Sequence, residues 1–285
     1  MRSLLPFALA AALAAAAMPA LPDEHPAQTR GYIEARGSRI YVETFGSGTP
    51  ILFLHGGLLY FDNSFAKQRE YFASFRKVIG VDRPGHGHSP DNGRPLTYQA
   101  MADDMAAVIG QLAIGPVDIV GHSDGGDVGL ILAHDHPELV RRLVISGANL
   151  TPGLPPDELL RRSQRSPQEV ADKVREFDAR LPPNFRADYQ AVAPDGPEHW
   201  WVLLTKSVPL WLTPVVISTV DLKAIRTPVL VIAGDKDFTS IEETVEIYRS
   251  LPRGELLIVP GTGHMTFSER PELTNLAIRE FLERP

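Results

Sequence analysis

The residues with the clearest capacity for chemistry lie in one short stretch, Val120-Gly121-His122-Ser123-Asp124-Gly125-Gly126. Before it, Pro116-Val117-Asp118-Ile119-Val120 is largely apolar and β-branched and predicts a buried strand. After it, residues 127–133 predict a buried helix. A serine flanked by glycines at a strand-to-helix turn is the G-x-S-x-G nucleophile elbow. Such a turn strains the serine backbone, and a side chain at 121 or 125 would clash, so glycine is needed at both. The turn lifts the hydroxyl of Ser123 clear of the sheet. The first free amides of the new helix, that of Asp124 among them, then point at whatever sits above the hydroxyl.

A neutral hydroxyl needs a base within hydrogen-bond reach and a third group to orient that base. His264 follows the last predicted strand, in Pro260-Gly261-Thr262-Gly263-His264, and Asp237 follows the preceding one, in Gly234-Asp235-Lys236-Asp237. Ser123 is therefore the candidate nucleophile, His264 the base and then acid, and Asp237 the group that fixes the imidazole tautomer. Asp235 is the rival acid, although directly after Gly234 it should be tied into the turn. The strand before the cap ends in Ser146-Gly147-Ala148-Asn149 and offers no carboxylate. The N–H groups of Asp124 and of Gly57, in the turn His55-Gly56-Gly57, are the candidate oxyanion donors, each typically worth ~3 kcal/mol of barrier. His55 and His122 are expected to support their turns. His86, His88, His134 and His136 invite a metal reading. However, the pair at 134 and 136 ends a helix, where histidine meets free carbonyls, and the loop pair lacks carboxylates at a metal-site spacing, so no metal is expected.

The elements that must position these groups follow from pattern. Residues 31–45 alternate as a hairpin with Gly37-Ser38 as its turn. Residues 50–55, 77–82, 116–120, 143–145, 228–233 and 256–259 are short apolar runs, the mark of strands covered on both faces. Helices fall between them: one capped by Thr97 with Met101, Met105, Val108 and Leu112 on a face, one opened by Ser240 and Glu243 as a capping box, and a last one with Leu273, Leu276 and Phe281 on its apolar face. This alternation predicts an α/β fold with a mostly parallel sheet and helices on both faces, its ligand site beyond the carboxyl ends of the strands. From 151 to 218 prolines break the pattern into short helical pieces and no strand signal appears. Ser166-Pro167-Gln168-Glu169 caps one piece, with Val170, Val174, Phe177 and Leu181 behind it. This segment predicts an all-helical cap between core halves 21–150 and 219–285. It holds Trp200, Trp201 and Trp211, which either line a pocket or glue the cap down.

The chain has 285 residues, a net charge of −7 with 9 His and no cysteine. The acidic balance excludes a basic nucleic-acid footprint, and the absence of cysteine excludes disulfides, thiolate catalysis and Cys-based zinc sites. Residues 1–20 have one Arg, an alanine-rich apolar run and small residues near Ala17 and Ala20. They predict a cleaved secretory signal and a secreted or periplasmic protein with no stable membrane insertion after removal; an uncleaved anchor is the alternative.

Taken together, His55-Gly56-Gly57, the run Asp82-Arg83-Pro84-Gly85-His86-Gly87-His88-Ser89, Gly121-His122-Ser123-Asp124-Gly125-Gly126, Gly234-Asp235-Lys236-Asp237 and Gly263-His264 resemble an α/β-hydrolase of the Ser-Asp-His type across the mature chain. In that family the order is serine, acid, histidine, and the acid usually lies three residues past such a glycine, which favours Asp237. Serine rather than aspartate at 123 separates the chain from the epoxide hydrolase and haloalkane dehalogenase branches. Ser123-Asp124-Gly125-Gly126 with Ser146-Gly147-Ala148-Asn149 resembles the valacyclovir hydrolase-like branch, which cleaves amino-acid esters. There the Asp124 carboxylate could attract a substrate amine; otherwise it is a helix-start aspartate facing solvent. The resemblance implies a serine hydrolase of small carboxylic esters acting through an acyl-enzyme without a cofactor. The alternatives are an aminopeptidase or amide hydrolase, a carbon–carbon bond hydrolase, and a non-catalytic receptor on the same fold.

Overall fold

The computed structural model describes residues 29–149, 165–212 and 217–284. The expected signal at 1–20 lies outside the described residues, as do 151–164 and 213–216 of the expected cap.

The described strands are β1 (Thr29–Ala35), β2 (Ser38–Phe45), β3 (Pro50–Leu54), β4 (Lys77–Asp82), β5 (Val117–His122), β6 (Val140–Ser146), β7 (Val229–Gly234) and β8 (Gly254–Val259). They form one sheet in the order β1-β2-β4-β3-β5-β6-β7-β8. β1, β2 and β4 pair antiparallel in sequence across the edge, and every pairing from β4 through β3 to β8 is parallel. The first hairpin turns on Arg36 and Gly37, both at positive φ (52° and 78°), rather than on Gly37-Ser38. Ser38 already pairs with Ala35, because a two-residue turn of this kind needs two consecutive left-handed residues.

Period-two alternation assigns the strand side chains to two cores. Leu52 and Leu54, Ile79 and Val81, and Leu143 and Ile145 face α2 (Tyr98–Leu112), α3 (Asp124–Asp135) and α8 (Ile241–Ser250). Ile51 and Phe53, Val120, Val144, Leu230 and Ile232 face α1 (Phe61–Ala73), α9 (Thr266–Glu269) and α10 (Pro271–Glu283). Asp118 interrupts the apolar run of β5 and is buried, and the guanidinium groups of Arg76 and Arg141 both bind its carboxylate. On α10 the buried face is Thr274, Asn275, Ile278, Phe281 and Leu282. Leu273 and Leu276, expected on that face, are exposed, since residues 274, 278, 281 and 282 share the helical stripe that meets the sheet.

Between β6 and β7 lie α4 (Pro167–Arg180), α5 (Pro183–Val192), α6 (His199–Leu212) and α7 (Thr219–Ala224). Ser166 and Glu169 form the expected capping box of α4. Val174, Tyr189, Trp200, Leu203, Leu204 and Val208 bury one another around Leu58, which reaches up from the turn after β3. This third core joins the helices to the main domain. No helix among the described residues is long and apolar enough to cross a membrane.

Candidate active site

Ser123 follows β5 and occupies the N-cap position of α3 at φ 52°, ψ −123°, a strained conformation for a residue with a side chain. The flanking glycines are explained by distance. A Cβ at Gly121 would lie 2.3 Å from the carbonyl oxygen of Gly125, and one at Gly125 would lie 2.0 Å from that of Leu54. Only bare backbone lets the new helix start so close to β3. The amide of Ser123 donates to the carbonyl of Ser146 (2.7 Å), which ties the elbow to β6.

The loops after β7 and β8 bring the two downstream candidates together. His264 Nδ1 donates to Asp237 Oδ1 at 2.9 Å, with the Asp237 side chain fully buried and the imidazole 13% exposed. That bond fixes the tautomer that leaves Nε2 as the acceptor. The histidine is also bound to the strand that leads into Ser123. His122 Nε2 donates to the His264 carbonyl at 2.9 Å, and the two rings lie 4.9 Å apart. Burial lowers the pKa of His122 to about 3, so it is a neutral brace. Burial likewise holds His55 well below the ordinary histidine range, and His55 accepts the amide of Arg83 at 3.0 Å. Asp235 instead accepts the Gly261 amide at 2.6 Å, tying the turn as its position suggested.

The support beneath this pair leaves no pattern in the sequence. Gly147, at φ 63°, passes so close that a Cβ there would lie 2.7 Å from His264 Cε1 and 3.3 Å from Asp237 Oδ2. The Thr239 amide donates to Asp237 Oδ1 (3.1 Å), its hydroxyl donates to Asn149 Oδ1 (2.8 Å), and the Asn149 amide donates to Asp127 Oδ1 (3.0 Å). A continuous chain of hydrogen bonds thus runs from α3 to the acid loop. Burial pushes Asp127 well above the usual carboxylate range. Glu243 departs from expectation too: Ser240 caps α8, but the Glu243 carboxylate does not reach back to it. One of its oxygens is buried without a partner, and burial pushes its pKa up to about 7.

On the other side of Ser123, Gly57 lies against the cap. A Cβ on it would sit 2.5 Å from the Trp211 ring and 2.6 Å from Asp124 Oδ2. Trp211 Nε1 donates to both oxygens of Asp124 (3.0 and 3.1 Å), and the Tyr98 hydroxyl donates to Oδ1 (2.9 Å). Asp124 is 3% exposed, so neither alternative read from the sequence describes it: the carboxylate neither faces solvent nor stands open to a substrate amine. It anchors the cap. The expected group of three tryptophans divides accordingly. Trp211 reaches the elbow. Trp200 is fully buried inside the cap, donating to Asp178 Oδ1 at 2.7 Å, and so presents no exposed surface to a ligand. Trp201 lies under the Arg186 guanidinium, which is 4.8 Å from the indole ring centre, and lines a cavity of about 760 Å³ with Val170, Val174 and Pro209, a lining that includes no elbow residue.

Among the described residues no group of three or more His, Asp or Glu could hold a metal ion. His88 is occupied by Asp82 (2.9 Å), and His134 by its neighbour Asp135 (2.6 Å).

The family profile described as Alpha/beta hydrolase family matches residues 51–276. The chain is 28% identical to the sn-1-specific diacylglycerol lipase ABHD11 of Mus musculus over 257 residues, which covers 81% of this chain and 80% of that protein. It is 28% identical to the 2-hydroxymuconate semialdehyde hydrolase of a Pseudomonas species over 266 residues, covering 88% and 92%. Among solved structures, a thermophilic esterase from Thermogutta terrifontis superposes with a TM-score of 0.69 at 25% identity, over 89% of this chain and 98% of that one.

Proposed function

This chain belongs to the alpha/beta hydrolase family, and from that membership we propose that it is a serine hydrolase that cleaves small carboxylic esters through an acyl-enzyme. The observation that carries the proposal is the His264–Asp237 hydrogen bond, in a pair that packs against Gly147 and whose His264 carbonyl is bound by His122, the residue preceding the positive-φ Ser123. Ser123 Oγ attacks the ester carbonyl as His264 Nε2 takes its proton. Asp237 keeps Nδ1 protonated and stabilises the imidazolium. The amides of Gly57 and Asp124 receive the oxyanion. His264 then protonates the departing alkoxide, and water repeats the sequence to release the acid.

The names of the relatives support the ester reading through a lipase and an esterase. One relative is named as a 2-hydroxymuconate semialdehyde hydrolase, which keeps a carbon–carbon cleavage reading open for the same residues. An amide hydrolase would also use them, and a receptor on this fold would bind without turnover. A panel of 4-nitrophenyl esters, aminoacyl amides and vinylogous diketones, followed through the pre-steady state, separates these. The proposal expects a stoichiometric burst of 4-nitrophenol, absent in Ser123→Ala. Turnover of diketones alone, or of nothing, would contradict it. Export is proposed from residues 1–20 and is tested by the amino-terminal sequence of the protein recovered outside the cytoplasm.

A further inference from the structure

The loop carrying Asp237 is pinned on both sides. The Lys236 amide donates to the Thr262 carbonyl (2.9 Å), the Asp237 amide to the Gly234 carbonyl (3.3 Å), and the Thr239 amide to Asp237 Oδ1 (3.1 Å). Asp237 and Thr239 turn inward, so the residue between them must project. That residue is Phe238, 51% exposed, with its ring centre 4.2 Å from the centre of the His264 imidazole and tilted by 33°. An aromatic ring half in water, placed against the imidazole by a loop hydrogen-bonded on both sides, offers an exposed apolar surface.

The two sides of Ser123 fix which part of a substrate would meet that surface. Gly57 and Asp124 lie toward Trp211, so the carbonyl oxygen is drawn to that side. The leaving group must lie where His264 Nε2 can protonate it, beside the imidazole and hence beside Phe238. We infer that Phe238 is the specificity-determining wall of the leaving-group site and that the enzyme favours esters of apolar, aryl-bearing or longer alkyl alcohols over methyl esters. This rests on the serine-hydrolase reading above, which assigns His264 as the acid.

The chemistry supplies a test that separates this role from simple bracing of the histidine. The alcohol has left before deacylation, so a leaving-group wall affects acylation alone. Methyl, butyl and 2-phenylethyl esters of one acyl group, assayed with wild type, Phe238→Ala and Phe238→Leu, provide the comparison. Rapid quench of the shared acyl-enzyme gives the deacylation rate. For Phe238→Ala, kcat/KM for the 2-phenylethyl ester should fall about tenfold, the loss of one aromatic contact, while the methyl ester stays within about twofold. Phe238→Leu should retain the butyl ester. Deacylation should be unchanged in both variants. Equal losses for all three esters, or a parallel slowing of deacylation, would overturn the inference and leave Phe238 as a support for His264. Failure of the wild type to form an acyl-enzyme would overturn the underlying reading as well, and is seen before any variant is made.

Discussion

On the imidazole side of Ser123, the contacts come from loops at the ends of the parallel strands. His264 is held by Asp237 and His122, Asp237 by Thr239, and Thr239 through Asn149 by Asp127 on the elbow helix. On the Gly57 side, the contact above the turn comes from the cap, where Trp211 closes over Gly57 and binds Asp124. On the proposed mechanism the imidazole side transfers protons and is braced within the core, while the Gly57 side receives the oxyanion and is covered by an element of the helical segment. Damage to the first half should therefore appear in kcat whatever the substrate. Damage to the second should also loosen the cap and discriminate between acyl groups.

The largest effect is expected at Asp237, the proposed orienting acid. Asp237→Asn removes the charge and reverses the tautomer preference of His264, and kcat should fall on the order of 10⁴-fold with KM little changed, as stopped-flow kinetics on a 4-nitrophenyl ester would read. One step out, Thr239→Val keeps the shape but breaks the link from Asn149. A loss of about 10- to 100-fold in kcat is expected, the usual scale for a residue that orients a functional group, and Thr239→Ser should restore most of it. If Thr239→Ser is as poor as Thr239→Val, the hydroxyl is not the link and the imidazole side is less tightly braced than argued. On the cap side, Trp211→Phe deletes a donor to a buried carboxylate. Thermal denaturation should show a loss of about 2 kcal/mol, with a smaller kinetic change that depends on the acyl group.

The smallest expected effect is pH-dependent. Burial raises the pKa of Glu243 from 4.5 to about 7, so the folded protein binds more protons here than the unfolded chain between those values. Stability must therefore decline as pH rises through that window and stay low above it. Glu243→Gln should be more stable than the wild type at pH 8, with the difference closing toward pH 5 in urea titrations. A difference that is constant with pH would show that the carboxylate never bears the burial cost of its charge.

The same contrast marks what the sequence could disclose. The elbow was legible because Gly121 and Gly125 must both lack a side chain. Asp237 and His264 were legible because strand ends on one edge of a parallel sheet share a site. The brace behind them was not, since Asp127, Asn149 and Thr239 are polar residues at the ends of different elements and only the sheet order makes them neighbours. The cap was harder still. Trp200 and Trp211 are about three helical turns apart and so share a face, yet one is buried in the cap and the other meets the elbow. Periodicity reports the face but not what lies opposite it. Glu243 was misread for a related reason: serine followed three residues later by glutamate satisfies the capping-box pattern, and only tertiary packing turns the carboxylate inward.

The central claim, that Ser123 is a nucleophile activated by His264, is most directly tested by covalent labelling. Wild type, Ser123→Ala and His264→Ala would be treated with a fluorophosphonate and followed by intact mass and peptide mapping. Rapid addition of one label per chain on Ser123 is expected, with none in Ser123→Ala and labelling of His264→Ala slower by on the order of 10³-fold or more. Labelling at another residue, or at the same rate without the imidazole, would contradict it.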